Sequence, residues 1–129
     1  MKYLITVITV LTLISCKKSD TKQSKMEQAK TIELVIWRSK DGIDPKAAKQ
    51  AIINLNNFVK EQPGFLSRST GISEDGRYLD LVYWTDLQSA QEASEKAMSS
   101  EICAPAFETI DEREMTFLHF DIINSLESN

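Results

Sequence analysis

One imidazole, His119, and two thiols, Cys16 and Cys103, are the strongest chemistry-bearing side chains in this sequence of 129 residues. That supply excludes several reactions. A common zinc site needs three or four His, Cys or carboxylate ligands in close spacing, and one His with one free thiol cannot build it. The acids are scattered, so no metal is expected. There is no Gly-rich phosphate loop and no nucleophile elbow. Cys103 reads as a small buried hydrophobe rather than a nucleophile. His119 is different, because an unperturbed imidazole changes charge near neutral pH and can take or give a proton there. The sequence leaves open whether it is a catalyst or a satisfied side chain at an interface. Asp80 and Asp121 are candidate partners for it, and each could instead pair with Arg68 or Arg77. Trp37, Tyr78, Trp84 and Phe117 supply aromatic surface for an apolar ligand, although Trp84 could equally be a wall of the fold.

These side chains must be positioned by secondary structure. Thr31 to Ser39 is rich in β-branched and aromatic residues and reads as a strand. Asp44-Pro45 has the form of a helix start, with Asp as N-cap and Pro in the first turn. Ala48, Ile52, Leu55 and Val59 then recur at helical spacing, and Pro63-Gly64 stops the helix. Phe65 to Ser73 is a second strand, Asp75-Gly76 a hairpin turn, and Arg77 to Trp84 a third strand. Thr85 with Gln88 forms a capping-box pattern before a second helix whose apolar side is Leu87, Ala90, Ala93, Ala97 and Met98. Ser99 to Ile110 reads as a broken helical segment containing Pro105, and Arg113 to Ile123 as the last strand. The order is βαββαβ. It predicts an α+β, ferredoxin-like domain over residues 31–124, with a four-stranded antiparallel sheet and a frayed tail at 125–129.

Alternation along the strands divides the sheet into two faces. One takes Ile32, Leu34, Ile36, Leu79, Leu81, Tyr83, Leu118, Phe120 and Ile122, and is expected to pack under the helices. The other takes Val35, Trp37, Tyr78, Asp80, Val82, Trp84, Met115, Phe117, His119 and Asp121. It is too apolar to face water unaided. A second copy of the sheet is expected to cover it, closing an α/β barrel homodimer around a partly polar interior. The formal net charge is −4 and no basic patch stands out, so nucleic acid is not an expected partner.

Residues 1–15 have the pattern of a signal peptide: Lys2, an apolar run, then small residues. Tyr3 to Ile14 is too short to cross a bilayer, which takes ~20 apolar residues. Leu13-Ile14-Ser15-Cys16 resembles a bacterial lipoprotein lipobox. That resemblance implies cleavage before Cys16, lipid on its sulfur, and a membrane-anchored location in the cell envelope. Lys17, where Asp would retain the protein in the inner membrane, points to the outer one. The polar stretch 16–30 reads as the lipidated Cys and a flexible tether.

Pro63-Gly64-Phe65, Gly76, Trp84, Ala90, Ala93, Met98 and Phe107 together resemble the antibiotic-biosynthesis-monooxygenase domain, a dimeric α/β-barrel family. The resemblance runs from Thr31 to Ile123. It implies a sheet-face pocket for a small hydrophobic or aromatic compound, a polycyclic phenol or a haem, and oxygen insertion without a dedicated cofactor. On that basis His119 is the expected base, Asp80 or Asp121 the group that orients it, and Trp37, Tyr78, Trp84 and Phe117 the substrate box. The haem-degrading branch carries a His in or just after the second helix, and Ala93 to Phe107 contains none. It also carries an Asn late in the first strand, where this chain has Ile36, Trp37 and Arg38. An envelope-tethered monooxygenase is therefore the leading expectation. A non-catalytic module that captures a ligand or a partner protein is the alternative.

Overall fold

The computed structural model describes residues 24–128. The signal peptide, Cys16 and most of the expected tether lie outside the described residues. Residues 24–30, expected as the end of the tether, are part of the fold. Lys25–Gln28 (α1) is a single helical turn closed by a reciprocal Ser24/Glu27 capping box. Ala29 is buried. The Lys30 N–H donates to the Trp84 carbonyl, and the Ile122 N–H donates to the Lys30 carbonyl.

Thr31–Ser39 (β1) leads into Pro45–Asn54 (α2), where the Asp44 carboxylate accepts from the Ala47 N–H. The helix expected to run on past Leu55 is interrupted there and resumes as Asn56–Val59 (α3). Gly64, in the turn that follows, stands at φ +81°, where a Cβ would collide with the side chains of Ser89 and Thr85. Phe65–Ile72 (β2) and Tyr78–Trp84 (β3) form the hairpin, with Gly76 at φ +82° in its turn. Leu87–Ala97 (α4) follows. Its cap is Asp86, whose carboxylate accepts from the Ser89 N–H, so the expected Thr85 cap moves one residue on. The longer reach is unnecessary because Asp86 already stands in extended backbone at the first free N–H groups. Ala104–Phe107 (α5) holds Pro105 in its first turn, and Ile110–Asp121 (β4) closes the sheet, beginning three residues before the expected Arg113.

All neighbouring strands are antiparallel, in the order β2-β3-β1-β4. This is the expected ferredoxin-like α+β arrangement. The helices, however, lie on the opposite face from the one expected. Trp37 and Tyr78 pack with Ala48 and Ile52 of α2 and with Ile110. Val82 and Trp84 pack with Ala90 and Ala93 of α4 and with Val59. The mixed polar and aromatic face is thus the covered one. Among the described residues no helix covers the aliphatic face of Ile32, Leu34, Ile36, Leu79, Leu81 and Tyr83, and Leu118 and Phe120 on it are 47% and 46% exposed. The ionisable residues of the covered face can be buried because they are paired with one another, whereas the indole N–H groups of Trp37 and Trp84 have no partner among the described residues.

Candidate functional site

A cavity of about 410 Å³ opens between the helices and the sheet. That is within the ~300–1,000 Å³ range of small-molecule sites. Its walls are mostly apolar. Val82 and Trp84 form the floor, Leu55, Phe58, Val59 and Ala93 the helical side, and Met98, Met115 and Phe117 the mouth. Two ionisable clusters border it.

The first is built by strand register. Glu33 in β1 lies directly opposite His119 in β4, and Nε2 of the imidazole stands 2.8 Å from Glu33 Oε2. Ser94 of α4 reaches down to the same oxygen, with its hydroxyl 3.0 Å away. The Ser94 hydroxyl also lies 2.9 Å from the Ala90 carbonyl, as a hydroxyl on an apolar helix stripe commonly does. Phe117 sets its ring edge against the imidazole, at 5.0 Å between centroids and 73° between planes. Glu33 is 9% exposed. Burial pushes its carboxyl above the usual carboxylate range, opposed by the hydrogen bonds from His119 and Ser94. Both partners address Oε2, and Glu33 is among the residues that line the cavity.

The second cluster is a buried ion pair. Arg68 in β2 lies opposite Val82, one step along the face from Asp80. Its guanidinium donates to both carboxylate oxygens of Asp80, at 2.9 and 2.7 Å, with side-chain exposures of 4% and 12%. Its remaining nitrogen donates to the Ile52 carbonyl at the end of α2, at 3.0 Å, and to the Asn56 side chain at 2.8 Å. A bidentate pair of this kind holds its plane rigidly. A bulge between Phe65 and Ser67 sets the phase that turns Arg68 inward.

The structure therefore divides the residues singled out in the sequence. Trp84, Phe117 and Asp80 line the cavity. His119 is not among its walls and meets it through Glu33. Trp37 and Tyr78 stack on each other, at 5.5 Å and 19°, in the core under α2, away from the cavity. Asp80 does not orient the imidazole, because Arg68 holds both of its oxygens. Asp121 is exposed and stands opposite Thr31. Cys103 lines the cavity as a buried thiol that burial pushes up, away from the reactive thiolate. Glu33 and Ser94 were not singled out from the sequence. Their signals were a lone carboxylate inside the apolar strand TIELVIWRS and a hydroxyl on the alanine stripe of α4.

No family model matches the sequence, and no curated protein matches it. Solved structures do. The chain is similar to SnoaB, a cofactor-independent oxygenase from Streptomyces nogalater, at 16% identity and TM-score 0.59, covering 78% of this chain and 100% of that one. It is similar to the monooxygenase ActVA-Orf6 of Streptomyces coelicolor in complex with nanaomycin D, at 13% identity and TM-score 0.56, covering 80% and 96%. It is also similar to a dimeric ferredoxin-like protein of unknown function from Thermobifida fusca, at 12% identity and TM-score 0.58, covering 74% and 93%. At these identities the likeness establishes the fold, and function must be argued from the site.

Proposed function

We propose that this chain is an antibiotic-biosynthesis-monooxygenase-type domain that oxygenates a small aromatic or enolisable compound in the cavity beneath its helices. It works as a homodimer tethered to the cell envelope through Cys16. One observation carries the reading: a mostly apolar cavity floored by Trp84 and rimmed by Phe117 is lined by a largely buried carboxylate, Glu33, that is hydrogen-bonded to His119. The fold it shares with a cofactor-independent oxygenase and with a monooxygenase supports it. The aliphatic sheet face left open by the helices supports the dimer, as does the dimeric relative of the same fold.

The chemistry needs no group beyond the substrate and dioxygen. The Glu33–His119 pair takes a proton from an activated CH₂ group, leaving a carbanion whose charge is spread over a ring and an oxygen. That electron-rich carbon reduces O₂ and forms a C–O bond, giving a hydroperoxide after protonation. The pair then removes the remaining proton on that carbon. The O–O bond breaks, the carbon becomes a carbonyl, and the departing hydroxide collects a proton as water. One oxygen atom enters the product, the other leaves as water, and the substrate supplies every electron. A general base at such a step is worth ~10²–10⁴-fold in rate.

The test is oxygen uptake by the purified protein with anthrone, a tricyclic ketone with one such CH₂ group, using isotopically labelled O₂. The expected result is uptake above the buffer rate, with one labelled atom in the anthraquinone and one in water. Glu33→Gln is expected to lower turnover by ~10²-fold or more. Uptake no faster than in buffer, or unchanged in Glu33→Gln, would refute the oxygenase reading. A second reading is favoured by one observation. Met98 at the mouth is 77% exposed and Phe117 is 43% exposed, which leaves the cavity open where oxygen chemistry is usually shielded from water. On that reading the domain captures a hydrophobic ligand without turnover, and anthrone would bind and be released unchanged.

A further inference from the structure

The Glu33 carboxylate has two side-chain partners among the described residues, and they lead to different places. The Ser94 hydroxyl has one proton and two acceptors within reach, Glu33 Oε2 at 3.0 Å and the Ala90 carbonyl at 2.9 Å. It can turn from one to the other as Glu33 gains or loses a proton, so neither state strands it. It leads no further, because a helix carbonyl has no proton to pass on. Asp80, whose charge Glu33 feels, is closed to proton traffic, since Arg68 holds both of its oxygens. His119 does lead somewhere. Its Nε2 stands 2.8 Å from Glu33 Oε2, and the ring is not part of the cavity wall. No described residue hydrogen-bonds to Nδ1, and Nδ1 is not among the buried atoms left without a partner. That nitrogen is therefore open to solvent, in keeping with a side chain 18% exposed. Phe117 packs its ring against the imidazole at 73° and limits its rotation. The imidazole thus touches the cavity's carboxylate with one nitrogen and the outside with the other.

A ligand that fills the cavity displaces solvent from the inner side of Glu33. The imidazole lies outside the cavity walls and keeps its own access. We propose that His119 relays protons between Glu33 and bulk solvent while the cavity is occupied. This rests on the oxygenase reading, in which Glu33 takes the substrate's proton, and adds how that proton leaves and returns. His119 does not touch the ligand and acts only through Glu33. The steps balance. A proton on Glu33 Oε2 crosses to Nε2 of the tautomer that carries its hydrogen on Nδ1. The imidazolium so formed releases its Nδ1 proton to water, and the Nε2–H then donates to the ionised carboxylate. The return is the reverse: water protonates Nδ1, and Nε2 passes its proton to Oε2. One proton leaves, one comes back, and the ring ends in its starting tautomer. Imidazole is the side chain suited to carry protons both ways near neutral pH.

The test is proton exchange without oxygen. Anthrone is incubated anaerobically with the purified protein in deuterated buffer, and deuterium entering its CH₂ group is followed by mass spectrometry. The wild type is expected to exchange it faster than buffer does. His119→Gln keeps an N–H that can donate to Oε2 but has no second nitrogen through which to pass a proton. It is expected to slow the protein-dependent exchange roughly tenfold or more, with far-UV dichroism like the wild type's. In His119→Ala, added imidazole is expected to restore part of the lost exchange. Exchange by His119→Gln at the wild-type rate would show that the residue only holds Glu33 in place, and would overturn the relay. A folded His119→Ala that imidazole does not rescue would overturn it too. Anthrone oxygenation by the wild type would stand in both cases. No wild-type exchange above the buffer rate would instead remove Glu33 as the base, and with it both the relay and the oxygenase reading.

Discussion

Replacing Arg68 by Met is expected to cost more stability than any other single change at the site. The substitution keeps most of the apolar length and removes the guanidinium. It leaves the Asp80 carboxylate, 12% exposed, without the two hydrogen bonds and the charge that hold both its oxygens. Breaking a buried pair from one side costs about 3–5 kcal/mol, because the other charge is stranded. The Ile52 carbonyl loses one of two donors and keeps the Leu55 N–H, so the end of α2 adds little. A loss of about 3 kcal/mol in a domain of this size lowers Tm by roughly 12 °C or more. Urea unfolding followed by tryptophan fluorescence is a suitable assay, since Trp37 and Trp84 are both buried. The cycle is completed by Asp80→Leu and by the double variant. Each single change is expected to be severe, and the double variant to recover to within about 2 kcal/mol of wild type, because buried pairs exchange for apolar residues at little net cost. An Arg68→Met loss below about 1 kcal/mol, or strictly additive single effects, would show that the pair is neither buried nor coupled as described.

Leu34→Asp, on the sheet face that no described helix covers, is expected to convert the proposed dimer to a monomer in light scattering while leaving the far-UV dichroism intact. A dimer that survives the substitution would place the interface elsewhere. Gly64→Ala is expected to cost about 2–4 kcal/mol, since it combines a left-handed backbone with overlap against Ser89 and Thr85. Gly76→Ala, at φ +82° with only the Arg38 side chain nearby at 3.7 Å, is expected to cost about 1–2 kcal/mol. Equal losses in chemical denaturation would contradict the close approach at Gly64. Asp75 in the hairpin is held at about 2, below its ordinary 3.8, chiefly by hydrogen bonds from Ser73 and Arg77. Its carboxylate therefore favours the fold fully above the unfolded value, and that contribution is lost as pH falls through about 2. Asp75→Asn is expected to be less stable than wild type near neutral pH, with the difference closing across that acid window. A difference independent of pH would mean that the charge is not its source.

The strands, the Asp44-Pro45 helix start and the Asp75-Gly76 turn were legible because each is encoded over a few adjacent residues. Which face the helices cover was not. Alternation shows that Trp37, Asp80 and His119 share a face, but it carries no information about what packs on that face. The expectation that helices would cover the aliphatic side rested on polarity, and polarity misled because the ionisable residues of the other face satisfy one another. Glu33 meets His119 and Ser94, and Arg68 meets Asp80. Those pairings depend on the β1–β4 register, on the bulge between Phe65 and Ser67, and on the height of α4, none of which is local in sequence. Aliphatic residues such as Leu34 and Leu81, with no polar atom to satisfy, suit a sheet-to-sheet contact. Trp37 and Tyr78 illustrate the same limit, since their face was legible and their position along the sheet, under α2 and away from the cavity, was not.

The central claim is that the working site lies under the helices, between Trp84 and Phe117, and not between two sheets. The most direct measurement is a crystal structure of the protein soaked with anthraquinone. The expected result is the ring system within the helix–sheet cavity, with Glu33 within hydrogen-bonding reach of the ligand or of a water held on it. Anthraquinone bound against Leu34 and Leu81 on the other face, with the cavity beside Glu33 filled only by solvent, would contradict the account.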